Sequence, residues 1–294
     1  MQTDAPIGHS DVGISVVIPT YKRPERLRTA IASAQAQTFT PLEVLVCDND
    51  TGFSAQSVCN ELGLSTVTYI PSSKVIGPSF ARNEGARAAR GEWLAFLDDD
   101  DHWLPEYLQT VLDTASVSGA DLVLCPTFRE TAEGRAPGKN PRLDISVDAL
   151  LARGNTGVLG SNTMISAEAF KHLGGFDETM RASEDVDLLA RLLENNFSYA
   201  VAPARLVVQR IEHKNRLSGE SSIFVYQGRR RLAEKHRHFI SKGSRTQLLG
   251  RAHVAGFNAR RNIIYKLWHL IAAARYSNFG PAGAVLRKGT RGRF

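Results

Sequence analysis

The stretch EWLAFLDDDDHW, residues 92–103, decides how this chain is read. A short apolar run of strand character ends in four consecutive acids, Asp98, Asp99, Asp100 and Asp101. Ionised carboxylates this close raise one another's pKa unless a cation neutralises them. Two explanations fit the run by itself. One is a solvated acidic turn with Asp101 capping the next helix. The other is an oxygen-donor site for a hard divalent cation.

The flanking segments favour the second explanation. ISVVI (14–18), EVLVCD (43–48), TVTYI (66–70), EWLAFL (92–97) and DLVLC (121–125) read as buried strands. Helical patterns lie between them at 23–37, 53–62, 78–91 and about 105–117; Pro24 opens the first and Gly91 closes the third. This alternation predicts an α/β fold, Rossmann-like, with a mostly parallel sheet and helices on both faces. In such sheets ligands bind beyond the carboxyl ends of the strands. PTYKR (19–23), CDNDTG (47–52) and the acid run all fall there. Residues 126–157 read as a long connection with a short helix near 144–152. Further strands are expected at 160–166, 198–203 and 205–211. SEDVDLLARLLENN (183–196) reads as an amphipathic helix whose start resembles a capping box.

The chain has 294 residues, 43% hydrophobic and 22% charged, enough for one large domain or a domain with an appendage. Its charge is split. Residues 1–203 hold 16 Lys/Arg against 27 Asp/Glu, and residues 204–294 hold 20 against 3. An acidic, catalytic-looking part is followed by a basic tail, which implies an anionic partner for the tail. The boundaries expected are a flexible N-terminus at 1–12, a catalytic domain at 13–218 and a basic helical region at 219–294. The polar start carries no apolar core of a signal peptide, and no run of about 18 apolar residues suggests a bilayer-spanning helix. Cys47, Cys59 and Cys125 show no metal-ligand or disulfide spacing. Cys47 and Cys125, in apolar runs, read as small core residues. A cytoplasmic location fits.

Mg²⁺ or Mn²⁺ takes one or two protein carboxylates and completes its shell with water and phosphate oxygens. Four acids exceed that need, so some have other work: contact with a sugar or ribose, or capping of the following helix. A calcium loop of the EF-hand type is set aside, because DDDDHWLPEY lacks the Gly at its sixth position.

Four separated motifs then occur in order: SVVIPTYKRPERLRTAIASAQAQT (15–38), EVLVCDND (43–50), GPSFARNEGARAARGEWLAFLDDDDHWLPEYL (77–108) and GGFDETMRASEDVDLLARL (174–192). Together they resemble family-2 glycosyltransferases of the GT-A fold, over roughly residues 13–215. The resemblance implies metal-dependent, inverting transfer of a sugar from a nucleotide-sugar, a UDP-sugar first of all, to a hydroxyl of a saccharide or lipid-linked acceptor. It implies that Thr20 and Tyr21 line the base pocket with Asp48, Asn49 or Asp50. Many relatives carry two adjacent acids at that loop, where this chain has Asp48-Asn49-Asp50. Arg23 joins the donor site, Arg82 approaches the base or diphosphate, and Asp98 and Asp99 hold the donor. Asp100 and Asp101 contact the metal, with His213 as a metal or diphosphate ligand. Asp185 corresponds to the general base.

The residues agree with that chemistry. A leaving nucleoside diphosphate gathers negative charge that a metal stabilises, and an acceptor hydroxyl needs a carboxylate to take its proton. Glu184 and Asp187 compete with Asp185; Glu184 and Asp177 are candidates for acceptor contact. Trp103 suits either sugar stacking or core packing. RRRLAEKHRH (229–238) and ARRNIIYKLWHLIAAAR (259–275) are basic and amphipathic. The second presents an apolar stripe, for which two readings stay open: a helix on an anionic membrane surface, peripheral to the inner face, or packing on the catalytic domain or another subunit as a homo-oligomer. Nucleic-acid binding is not expected, for want of a recognition motif. The alternative functions are a sugar nucleotidyltransferase, although IPTYKRPERL lacks the Gly-rich loop expected there, and a non-catalytic module binding sugar nucleotides or membranes.

Overall fold

The computed structural model describes residues 12–72, 77–143, 145–153, 157–211, 222–259 and 262–276. Along the chain run β1 (Ile14–Thr20), α1 (Pro24–Gln35), β2 (Glu43–Asp48), α2 (Gln56–Leu62), β3 (Val67–Pro71), α3 (Pro78–Ala88), β4 (Trp93–Phe96), β5 (Asp101–Trp103), α4 (Tyr107–Ser118), β6 (Leu122–Leu124), β7 (Thr127–Thr131) and β8 (Gly134–Pro137). There follow α5 (Val147–Arg153), β9 (Thr163–Ser166), α6 (Ala167–His172), α7 (Glu184–Glu194), β10 (Tyr199–Val201), β11 (Val207–Arg210), α8 (Ile223–Lys235), α9 (Lys242–Ala259) and α10 (Ile263–Tyr276). The chain divides into two compact units. The first takes Met1–Leu143, Gly157–Phe176 and Asn196–Ile211; the second takes Asp144–Thr156, Asp177–Asn195 and Glu212–Phe294.

In the first unit a seven-stranded sheet runs in the order β10-β6-β9-β4-β1-β2-β3. β1 pairs in parallel with β2 and β4, and β2 with β3; β9 lies antiparallel between β4 and β6. Every residue of β1 is buried, which is why the apolar residues of ISVVIPT run together rather than alternate with exposed polar ones. Its register sets Thr20 opposite Asp48 at the carboxyl edge. Beside it, Phe96 packs on Phe170 and Phe176 at ring separations of 5.4 and 5.0 Å, the second pair edge-on. Cys47, Cys59 and Cys125 are free and buried, as small core residues.

A second sheet, β5-β11-β7-β8, contains elements that the sequence does not announce. Residues 127–137 form the hairpin β7-β8, not the featureless connection expected there. β8 is exposed along its whole length, so no apolar pattern marks it. β5 begins inside the acid run and pairs antiparallel with β11, Gln209 opposite Asp101.

The second unit is helical. The segments 145–153 and 177–195, which the sequence groups with the catalytic domain, pack in this unit: α5 lies against α7 and α9, and α9 packs between α8 and α10. Ser183 precedes α7 in the left-handed region at φ 69°, and its side chain makes no capping bond, so the expected capping box is absent. Gly228 of α8 approaches that turn closely. A Cβ there would fall 2.2 Å from the Ala182 carbonyl oxygen.

Phe96→Ala removes a fully buried ring from the three-ring cluster. It should lower unfolding free energy by about 3–5 kcal/mol, measured by urea denaturation.

Candidate active site

The carboxyl edge of β1, β2 and β4 gathers the predicted donor residues, and their contacts divide the four acids. Asp99 turns back into the protein. Thr20 Oγ1 donates to its Oδ2 at 2.8 Å, and Arg23 Nη1 to its Oδ1 at 3.2 Å. Burial and the Asp100 charge push the Asp99 carboxyl up to about 6, against the pull of Arg23 and the Thr20 hydrogen bond. Asp98, Asp100 and Asp101 form the other group: each offers an oxygen, and these atoms all lie within 4.8 Å of one another. Each acid of this trio is held from behind. Arg82 Nη2 donates to Asp98 Oδ1 at 2.5 Å, Arg23 and Arg26 reach Asp100 at 3.2 and 3.8 Å, and Ser161 Oγ donates to Asp101 Oδ2 at 2.6 Å. The Arg210 amide donates to the other Asp101 oxygen at 3.2 Å. Three converging carboxylates, all hard oxygen donors, fit Mg²⁺ or Mn²⁺. Asp98, expected at the donor, thus joins Asp100 and Asp101.

Asp48 is fully buried and its oxygens serve its own loop. They accept from the amides of Asp50 and Ala55, each at 3.0 Å, and from the Tyr69 hydroxyl at 3.2 Å. This side chain braces the loop; Asn49 and Asp50 beside it are also buried, and Asp50 Oδ1 accepts from the Gly52 amide at 3.1 Å. Lys22 approaches Asp50 at 3.9 Å across the two loops. Tyr21 and Phe53 stand exposed on them, at 44% and 48%. Phe53 was not foreseen; an aromatic next to the turn residue Gly52 was the available signal. Ser161 and Arg26 were also missed. Arg26 lies in the first turn of α1, three residues after Arg23 at its N-cap, whereas nothing local marks Ser161.

Trp103 is a correction. It is 3% exposed, stacks on Tyr107 at 4.2 Å, and gives its indole N–H to the Ser161 carbonyl at 2.8 Å. No face is left for a sugar. His213 lies outside the described residues.

In the second unit, α7 carries the predicted base. Asp185 is partly exposed in the first turn and its Oδ1 accepts from the Val186 amide at 2.7 Å. Glu184 is 8% exposed. Asp187 is fully buried and belongs to a charge network, which removes it as a rival base. It meets Arg191 Nε at 2.8 Å, Lys235 Nζ at 2.9 Å and His236 Nε2 at 3.0 Å. His236 turns its other nitrogen to Glu194 at 2.5 Å. Asp177 pairs with Arg231 at 3.2 Å and Lys235 at 2.9 Å, so an acceptor would compete with those cations for it. Gly228, Arg231, Lys235 and His236 recur at helical spacing, so one face of α8 grips the start and the buried side of α7.

The chain belongs to glycosyl transferase family 2, whose model matches residues 15–174. A second model, glycosyltransferase like family 2, matches residues 147–238. An uncharacterized glycosyltransferase of Haemophilus influenzae is 31% identical over 186 residues, 62% of either chain. The UDP-Glc:alpha-D-GlcNAc-diphosphoundecaprenol beta-1,3-glucosyltransferase WfgD of Escherichia coli is 30% identical over 99 residues, 34% of this chain and 39% of that one. The chain thus spans less than two thirds of the length of the curated relatives it matches. Among solved structures, the mannosyltransferase PcManGT of Pyrobaculum calidifontis, in complex with GDP-Man and Mn²⁺, superposes with a TM-score of 0.62 at 17% identity, covering 97% of this chain and 81% of that one. The shared fold is GT-A.

Burial alone would raise the Asp187 carboxyl. The His236 hydrogen bond and the charges of Arg191 and Lys235 outweigh it and hold the group below its ordinary value. A depressed carboxylate stabilises the fold above its unfolded pKa of about 3.9 and loses that contribution as pH falls through the folded value. Asp187→Asn should therefore lose about 3–5 kcal/mol at neutral pH. Its deficit against the wild type should narrow below about pH 4, read from urea midpoints across a pH series.

Proposed function

We propose that this protein moves a sugar from a nucleotide-sugar, a UDP-sugar first of all, to a hydroxyl of a saccharide or lipid-linked acceptor, with inversion at the anomeric carbon. The observation that carries the reading is the convergence of Asp98, Asp100 and Asp101 beyond β4 in a member of this family. The UDP-Glc and diphosphoundecaprenol in the name of the Escherichia coli relative support the donor and acceptor classes. The GDP-Man and Mn²⁺ of the Pyrobaculum structure support the metal.

Tyr21, Asn49 and Asp50 take the base, with Thr20 and Asp48 fixing the edge on which they stand. Arg23, Arg26 and Arg82 pair with the acid run and hold it aimed, so the trio is in place before the donor arrives. When bound to the trio, Mg²⁺ or Mn²⁺ acts as a Lewis acid on the diphosphate and stabilises the charge that gathers there. Asp185 accepts the proton of the acceptor hydroxyl as its oxygen attacks the anomeric carbon, and Glu184 orients that hydroxyl. One displacement breaks the sugar–phosphate bond, and the nucleoside diphosphate departs. Residues 13–218 would form the catalytic domain and 219–294 its basic helical companion, working in polysaccharide or glycoconjugate assembly on the cytoplasmic side.

Incubation with UDP-sugars, Mn²⁺ and an acceptor should release nucleoside diphosphate; no release there, together with pyrophosphate released from UTP and a sugar 1-phosphate, would mean nucleotidyl transfer. Asp185→Asn should keep donor affinity and lower turnover by about 10²–10⁴-fold. Asp100→Ala should weaken donor binding only when Mn²⁺ is present, by titration calorimetry with and without chelator. Equal binding in all four conditions would refute the metal site.

A further inference from the structure

α10 buries a narrow face and shows solvent a broad apolar one. Ile263, Ile264, Leu267, Trp268 and Ile271 are 51–71% exposed. At about 100° per residue these five cover roughly 140° of the helix surface, opposite the buried His269 and Ala273. That orientation is fixed by α9. Gly256 makes room for the His269 ring, which a Cβ there would meet at 2.3 Å, and His253 Nδ1 lies 3.2 Å from His269 Nδ1. The apolar arc therefore faces away from its own helical neighbour.

Charge says what covers it. Residues 260–294 contain eight Lys/Arg and no Asp/Glu, with Lys266 and Arg275 on α10 itself. A second copy of this segment would add cations and no acid to answer them. A nucleic acid would use the cations and leave the isoleucines in water. Anionic lipid satisfies both features: headgroups neutralise the cations while acyl chains take the apolar arc. Among the described residues no helix is long and apolar enough to cross a membrane, so α10 suits lying in the interface. We propose that α10 docks this protein on an anionic lipid bilayer with Ile264, Leu267, Trp268 and Ile271 inserted at the headgroup boundary. The proposal is independent of which sugar is moved.

The test is flotation of the full chain with vesicles of equal parts phosphatidylcholine and phosphatidylglycerol, against phosphatidylcholine alone. The chain should float with the anionic vesicles only. Ile264→Asp combined with Ile271→Asp should abolish flotation while thermal unfolding stays unchanged, because both side chains are exposed. Lys266→Gln and Arg275→Gln should each weaken binding about fivefold at low salt. Flotation indifferent to lipid charge or to the aspartates would overturn the proposal. So would absence of flotation together with a dimer, seen by light scattering, that the aspartates dissolve. Binding of nucleoside diphosphate and Mn²⁺, measured on the same variants, reports on sugar transfer separately and should not change.

Discussion

Repulsion among four consecutive carboxylates is the constraint around which the first unit is organised. A run of ionised acids disfavours any compact conformation unless each finds a partner. Here Asp99 is drawn back to Thr20 and Arg23, while its three neighbours converge on one another. The cations that tolerate this convergence come from two helices, Arg23 and Arg26 around α1 and Arg82 on α3. The polar brace comes from Ser161, about sixty positions away, which donates to Asp101 and accepts from the Asp98 amide. Convergent negative charge, fixed before any ligand arrives, is the preorganisation that a cation site requires.

The second unit meets a related problem with opposite materials. α7 places acids in its first turn, where the positive end of the helix favours them, but Asp187 is wholly buried. Arg191, Lys235 and His236 answer it. Cations that look, by count, like a surface for an external anion are therefore partly occupied within the unit. Arg237 and Arg245 likewise pair with Glu234. From residue 260 onward the sequence itself holds eight Lys/Arg and no acid.

The parallel core was legible because β1, β2 and β4 are buried along nearly their whole length and leave continuous apolar runs. The ligand edge followed from topology, and the acid run from its charge. The second sheet was not legible: β5 is three residues long and starts within the acids, and β8 is exposed throughout. Trp103 illustrates the same limit. An indole beside an acid cluster suits a sugar platform or a core plug equally well, and only the stack on Tyr107 decides between them. The role of Ser161 was invisible because its contacts are remote in sequence. The grip of α8 on α7 was hidden because basic residues look alike whether their acids are near or absent.

β5 has an implication for how such chains diverge. Asp101 is both the last member of the acid run and the first residue of a strand whose pairing with β11 is fixed residue by residue. Strands alternate their faces with a period of two. One residue inserted into or lost from the run would either slide β5 by a step, exchanging Asp101 with His102, or tear the pairing. Replacement of individual acids leaves that register intact. Drift at this locus should therefore proceed by exchange of letters at constant spacing, and indels should accumulate instead in tolerant stretches such as the tip between β7 and β8.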